Sequence, residues 1–118
     1  MFVVVEKYLE DYMGERDWMT SSLHGSGATP KSAIKVAEKT VLREWERSLA
    51  EVTDEVDGEA MAEETLLLAF GDIRIVVLPC TRAVWKRCRN RGFRYGHNAG
   101  IDIVDGVAHT LEETLGGE

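Results

Sequence analysis

The chain has 118 residues, 44% hydrophobic and 30% charged, with a net charge of -7, enough for one hydrophobic core and too little for two ordinary domains. No apolar stretch is long enough to span a bilayer, no signal-peptide pattern opens the chain, and two cysteines do not make a disulfide framework, so the expectation is a soluble, cytoplasmic protein with free thiols. A pI near 5.0 weighs against general affinity for nucleic acid or membrane surfaces, because both polyanions are repelled at long range.

In chain order, "FVVVEKYLEDYM" places Phe2, Val5, Leu9, Tyr12 and Met13 at helical spacing, with Gly14 as the stop, although its valine run would suit a strand equally well. Residues 14–29 then read as a long loop that Trp18, Met19 and Leu23 can pin to the core. Thr29 is an N-cap candidate and Pro30 fits the first helical position, where its fixed φ suits the helix and its missing N–H costs nothing. The spacing predicts a helix over 30–52, with Ile34, Ala37, Val41, Trp45, Leu49 and Val52 as its apolar stripe. "DEVDGEAMAEE" is an acidic connector.

"TLLLAFGDIRIVVL" reads as a hairpin turning at Gly71-Asp72, which puts Leu66, Leu68, Phe70, Ile73, Ile75 and Val77 on one face. Leu67, Ala69, Arg74 and Val76 take the other face. Leu68, Phe70, Ile75 and Val77 are expected to pack on Ile34, Val41, Trp45 and Leu49, the most apolar sheet face against the most apolar helix stripe. Pro79 closes the strand, a helix over 81–91 turns Val84, Trp85 and Cys88 inward, and Asp105-Gly106 marks a second hairpin with a type I′ turn. The predicted order is α-α-β-β-α-β-β, a single α+β domain in which an antiparallel sheet of two hairpins packs on helices.

"GSGATPKS", residues 25 to 32, approaches the phosphate-binding loop G-x-x-x-x-G-K-[ST], but Pro30 stands where the second glycine belongs and has no N–H to turn onto phosphate. What remains is weak anion binding by Lys31 and Ser32 in the first turn of a helix. Cys80 falls between a strand and a helix, where a helix dipole and Arg82 would favour a thiolate nucleophile, and His97 is its candidate partner. The simpler reading is a small buried hydrophobe. A two-residue Asp105-Gly106 turn sets Asp102 opposite His109, half of an acid/base pair or an ordinary cross-strand charge pair. Cys80, Cys88, His97 and His109 lack zinc-ligand spacing, and no metal or cofactor is expected.

The sharpest feature is residues 80 to 100, "CTRAVWKRCRNRGFRYGHNAG", with six basic side chains and no acidic one. The remaining residues hold eight basic side chains against twenty-one acidic ones. Arg82, Lys86 and Arg89 form one edge of the predicted helix, Arg87 and Arg91 the other, and Arg94 lies beyond it beside Phe93 and Tyr95. The charge asymmetry points to a non-enzymatic interaction domain, accessory, adaptor or inhibitory, whose segment 82–97 docks onto an acidic protein surface, including that of another copy, and an oligomer is expected. The leading alternative is a phosphate or single-stranded nucleic-acid binder using the same helix. A third is a small hydrolase or transferase built on Cys80/His97 or Asp102/His109.

Overall fold

Three consecutive β-branched residues decide the first segment, because Val3, Val4 and Val5 are all fully buried and an extended backbone sends them to alternate sides. The computed structural model, which describes residues 1–45, 65–89, 96–97 and 100–116, makes this segment strand β1 (Phe2–Tyr12) instead of the expected helix. The expected loop after it is strand β2 (Glu15–Gly27), paired antiparallel to β1. Gly14 is therefore a hairpin turn, not a helix stop: Met13 and Gly14 have φ of 52° and 83°, the two left-handed positions of a type I′ turn.

Helix α1 (Pro30–Trp45) follows as expected, and its predicted continuation through Leu49 and Val52 lies outside the described residues, as does the acidic connector. Strands β3 (Thr65–Phe70) and β4 (Ile73–Pro79) form the predicted hairpin, with Gly71 at φ 58°. Helix α2 (Arg82–Arg89), strand β5 (Gly96–His97), the hairpin β6 (Ile101–Val104) and β7 (Val107–Thr110), and the short helix α3 (Leu111–Leu115) complete the described chain. Asp105 and Gly106 have φ of 52° and 78°, the predicted type I′ turn.

The fold is α+β, but its main sheet differs from the predicted pair of hairpins. Five strands run in the order β3-β4-β1-β2-β5, with every pairing antiparallel, and β6-β7 forms a separate two-stranded sheet. Because β1 lies inside the sheet and is covered on both sides, its buried residues form a continuous run and not an alternation. Phe2, Val4, Ile75 and Val77 pack with Ala33, Ile34 and Ala37 of α1 on one side. On the other, Val3, Val5, Leu23, Val76 and Leu78 pack with Val84 of α2 and with Ile101 and Ala108 of the second hairpin.

Ile75 and Val77 thus meet Ile34 as expected, while the side chains of Leu68, Phe70, Val41 and Trp45 are outside the described set. The register of β3 carries a correction. A bulge between Leu66 and Leu68 pairs Leu66 with Val76 and Leu68 with Ile75, so Leu67 joins the cluster under α1 at 4% exposure while Leu66 is 50% exposed. The extra residue reverses the alternation assumed for a regular strand.

Gly25 and Gly27, read from sequence as loop glycines, lie in β2 beneath α1. A Cβ on Gly25 would stand 2.6 Å from the Ala33 carbonyl oxygen and 2.7 Å from the Ala37 nitrogen. The missing side chains let the helix backbone rest directly on the strand, the use of glycine where two backbones approach closely.

Candidate functional site

The site is built on α2, an eight-residue helix whose one arc packs on the core while the adjacent edge is basic. Val84 is buried, and Trp85 and Cys88 are half-buried against the second core cluster, as the spacing predicts. Trp85 stands three residues after Arg82 and four before Arg89, so the three share one side of the helix, with Lys86 between them. Arg82, Lys86 and Arg89 are exposed and, with Trp85 and Met1, line an open cleft of about 610 Å³. The Arg89 guanidinium lies 5.9 Å from the centroid of the Trp85 ring, within cation–π range.

Met1 reaches this place because β1 pairs with β4 through Phe2 and Pro79, and the Cys80 N–H donates to the Met1 carbonyl. Among the described residues, none of the three cations has a carboxylate partner in an ion pair. Arg87 differs: its Nη2 lies 2.5 Å from Glu112 Oε2 of α3. The hydrogen bond from Arg87 holds the Glu112 carboxyl below its ordinary range. Arg87 is therefore committed within the chain, whereas Arg91 and Arg94 lie outside the described residues.

The start of α2 is fixed by Thr81, whose hydroxyl sits 3.4 Å from the Val84 N–H and donates a 2.6 Å hydrogen bond to Glu113 Oε1. The same oxygen accepts from the Thr110 N–H at 2.9 Å, while Thr110 Oγ1 caps α3 by accepting from the Glu113 N–H. This reciprocal capping box ties α3 to the mouth of α2. The Thr110 backbone bond, then the Thr81 bond, lower the Glu113 pKa.

The other candidates fall in separate places. Cys80 follows β4 and forms an isolated bridge to Ala108, buried in the second core cluster. Burial, with Cys88 second, pushes its pKa up to about 12, so at neutral pH it is a thiol and not a thiolate. Cys88 is also raised by burial, opposed by a hydrogen bond to Ser26. His97 pairs with Ser22 through the β5 backbone, and its side chain is outside the described set.

Asp102 and His109 are opposite in register, as expected. Asp102 Oδ1, however, accepts from the Ile103 N–H at 2.9 Å, and the acidic oxygen near His109 Nδ1 is Glu113 Oε2, at 3.8 Å. Lys31 is exposed at the start of α1, on the opposite side of the sheet from the cleft. The Ser32 hydroxyl is engaged in a cap: its Oγ accepts from the Thr29 N–H at 3.0 Å, and Thr29 Oγ1 accepts from the Ser32 N–H at 3.2 Å. Among the described residues, no three His, Cys, Asp or Glu side chains converge as metal ligands do, and no helix is long and apolar enough to cross a membrane.

A buried pair escaped the sequence reading. Glu6 of β1 and His24 of β2 meet at 3.1 Å, both largely shielded from solvent. The pairing skips His24, passing from Val4 opposite Gly25 to Val5 opposite Leu23, so His24 is a bulge residue. A strand reading of β1 would have placed Glu6 on the side of Val4 and shown that it needs a partner.

Comparison with protein-family models, with curated proteins and with solved structures yields no match to this chain. Three cations around an indole in an open cleft offer charge-assisted hydrogen bonds to carboxylates and an apolar surface for the group carrying them.

Proposed function

We propose that this chain is a non-enzymatic interaction domain whose cleft, formed by Arg82, Trp85, Lys86 and Arg89, docks onto an acidic protein surface. One observation carries the reading: among the described residues, the three exposed cations of the cleft have no carboxylate partner. The neighbouring Arg87 does take such a partner within the chain. An exposed set of unneutralised charges beside a half-buried aromatic ring is the composition of an interface anchor, in which tryptophan and arginine are enriched.

A single-stranded nucleic acid would find the same cations and a ring on which to stack. The negative field of the whole chain opposes that polymer more than it opposes a compact acidic surface, which meets only the cleft. The test is binding of a labelled polyglutamate peptide and of an oligothymidylate of equal charge, each to wild type and to the Arg82→Ala/Lys86→Ala/Arg89→Ala variant. Salt-sensitive binding of the peptide, lost in the variant, is the expected result. Binding of the oligonucleotide alone, its salt slope reduced by about 0.7 for each phosphate contact removed, would replace this reading with the nucleic-acid one.

A further inference from the structure

The β1–β2 hairpin extends beyond the sheet. Among the described residues, strand β4 accompanies β1 as far as Tyr8, opposite Ile73, and β5 accompanies β2 at Ser22 and Leu23. Among the described residues, 10–17 therefore pair only with each other, as a two-stranded arm. The arm carries Glu10, Asp11, Glu15 and Asp17 against the single cation Arg16. Arg16 stands opposite Asp11, whereas Glu10 stands directly opposite Asp17. Like charges facing across two strands destabilise the isolated hairpin, and a cationic partner relieves that repulsion. At the tip, Met13 is 86% exposed in the left-handed region, a flexible apolar side chain held out into solvent.

We infer that the acidic surface received by the cleft is this arm on a second copy of the chain, in a head-to-tail contact. The inference rests on the docking function proposed above. The charges match: four carboxylates and one guanidinium leave three net negative charges on the arm, and the cleft presents three cations. The apolar parts match as well, since the Met13 thioether has Trp85 and Met1 to meet, and methionine sulfur packs favourably on aromatic rings. The contact must be intermolecular. Met1 and the cleft lie at one end of β1 and the tip at the other, so a strand of eleven residues, roughly 35 Å, separates them. Two different patches meet in such an interface, which makes it heterologous and capable of propagating until it closes into a ring.

The experiment is sedimentation velocity on the full chain at low and high salt, with three samples. These are wild type, an arm variant (Glu10→Gln/Asp11→Asn/Glu15→Gln/Asp17→Asn) and a cleft variant (Arg82→Ala/Lys86→Ala/Arg89→Ala), each checked for folding by circular dichroism. Wild type is expected to assemble with concentration at low salt and to dissociate at high salt. Each variant alone is expected to be monomeric, and an equimolar mixture of the two to form a dimer and nothing larger, because each supplies the half the other lacks.

A wild type that is monomeric at low salt, or an equimolar mixture that stays monomeric, overturns the inference. So does assembly that survives in the arm variant but vanishes when the carboxylates of residues 54–64 are neutralised. Polyglutamate binding to wild type and to the arm variant separates the two ideas. If the peptide binds while wild type is monomeric, docking onto acidic surfaces stands and the second copy is not the occupant. If the peptide does not bind and the cleft variant assembles as wild type does, both fall.

Discussion

The hydroxyl of Thr81, at the entrance to α2, donates a 2.6 Å hydrogen bond to Glu113 of α3, thirty-two residues away. One carboxylate thereby holds the helix that bears the cleft to the end of the second hairpin. The Glu113 pKa is lowered, first by the Thr110 backbone bond and then by Thr81, so its contribution to the fold is present above the unfolded carboxylate pKa. It is lost as pH falls through the lower folded value. In an NMR titration the Thr110 amide should move with a midpoint below that of an ordinary glutamate. The Glu113→Gln variant should show no such transition; an unchanged curve would mean that Glu113 does not hold this junction.

The bulge in β3 makes two adjacent leucines unequal. Leu67→Ala empties a buried site beside Ile75 and Val77 and should cost about 2 to 5 kcal/mol. Leu66→Ala, on an exposed side chain, should stay within about 0.5 kcal/mol of wild type. Urea unfolding of both variants decides the register, and a reversed order of costs would restore the regular strand.

Gly25→Ala should destabilise the domain by about 1 to 3 kcal/mol, the usual range for overpacking. Its new Cβ would meet the backbone of α1 at Ala33 and Ala37, and a backbone cannot rotate aside as a side chain can. Thermal unfolding at a fixed protein concentration measures the loss; an unchanged midpoint would place α1 farther from β2.

Cys80 should resist iodoacetamide at neutral pH in the folded protein and react once the chain is unfolded, because burial raises its pKa to about 12. The stability linked to this protonated thiol is fully present below the unfolded thiol pKa and falls as pH rises from there through the folded value. Cys80→Val should therefore flatten the alkaline limb of the stability curve. Fast alkylation of Cys80 in the native state would reopen a nucleophilic role.

Part of the cleft was legible in the sequence, and for a local reason: the positions of Arg82, Lys86 and Arg89 on one edge of α2 follow from helical spacing alone, whereas Trp85, expected to face the core, also lines the cleft. The place of Met1 was not legible, since only the pairing of β1 with β4 brings it there. Arg87 looked like its basic neighbours because Glu112 is remote in sequence. The Thr29-Pro30 helix start and the glycine turns at 71 and 106 also followed from local chemistry. The first hairpin did not, for two physical reasons. A strand covered on both sides shows no alternation, so the chance spacing of Phe2, Val5 and Leu9 imitated a helix. Its turn also places a methionine at positive φ, where sequence favours Asn, Asp or Gly.

The bulge in β3 bears on more than which leucine is buried. Among the described strands β3 is an outer one, and "TLLLAF" is six residues without a charge or a proline, the composition from which stacked intermolecular sheets nucleate. An extra residue in such a strand breaks the even ladder that an incoming chain would copy and twists the rim away from it. Deleting Leu67 would straighten β3 and leave a flat apolar rim, and the shortened chain should aggregate faster than wild type.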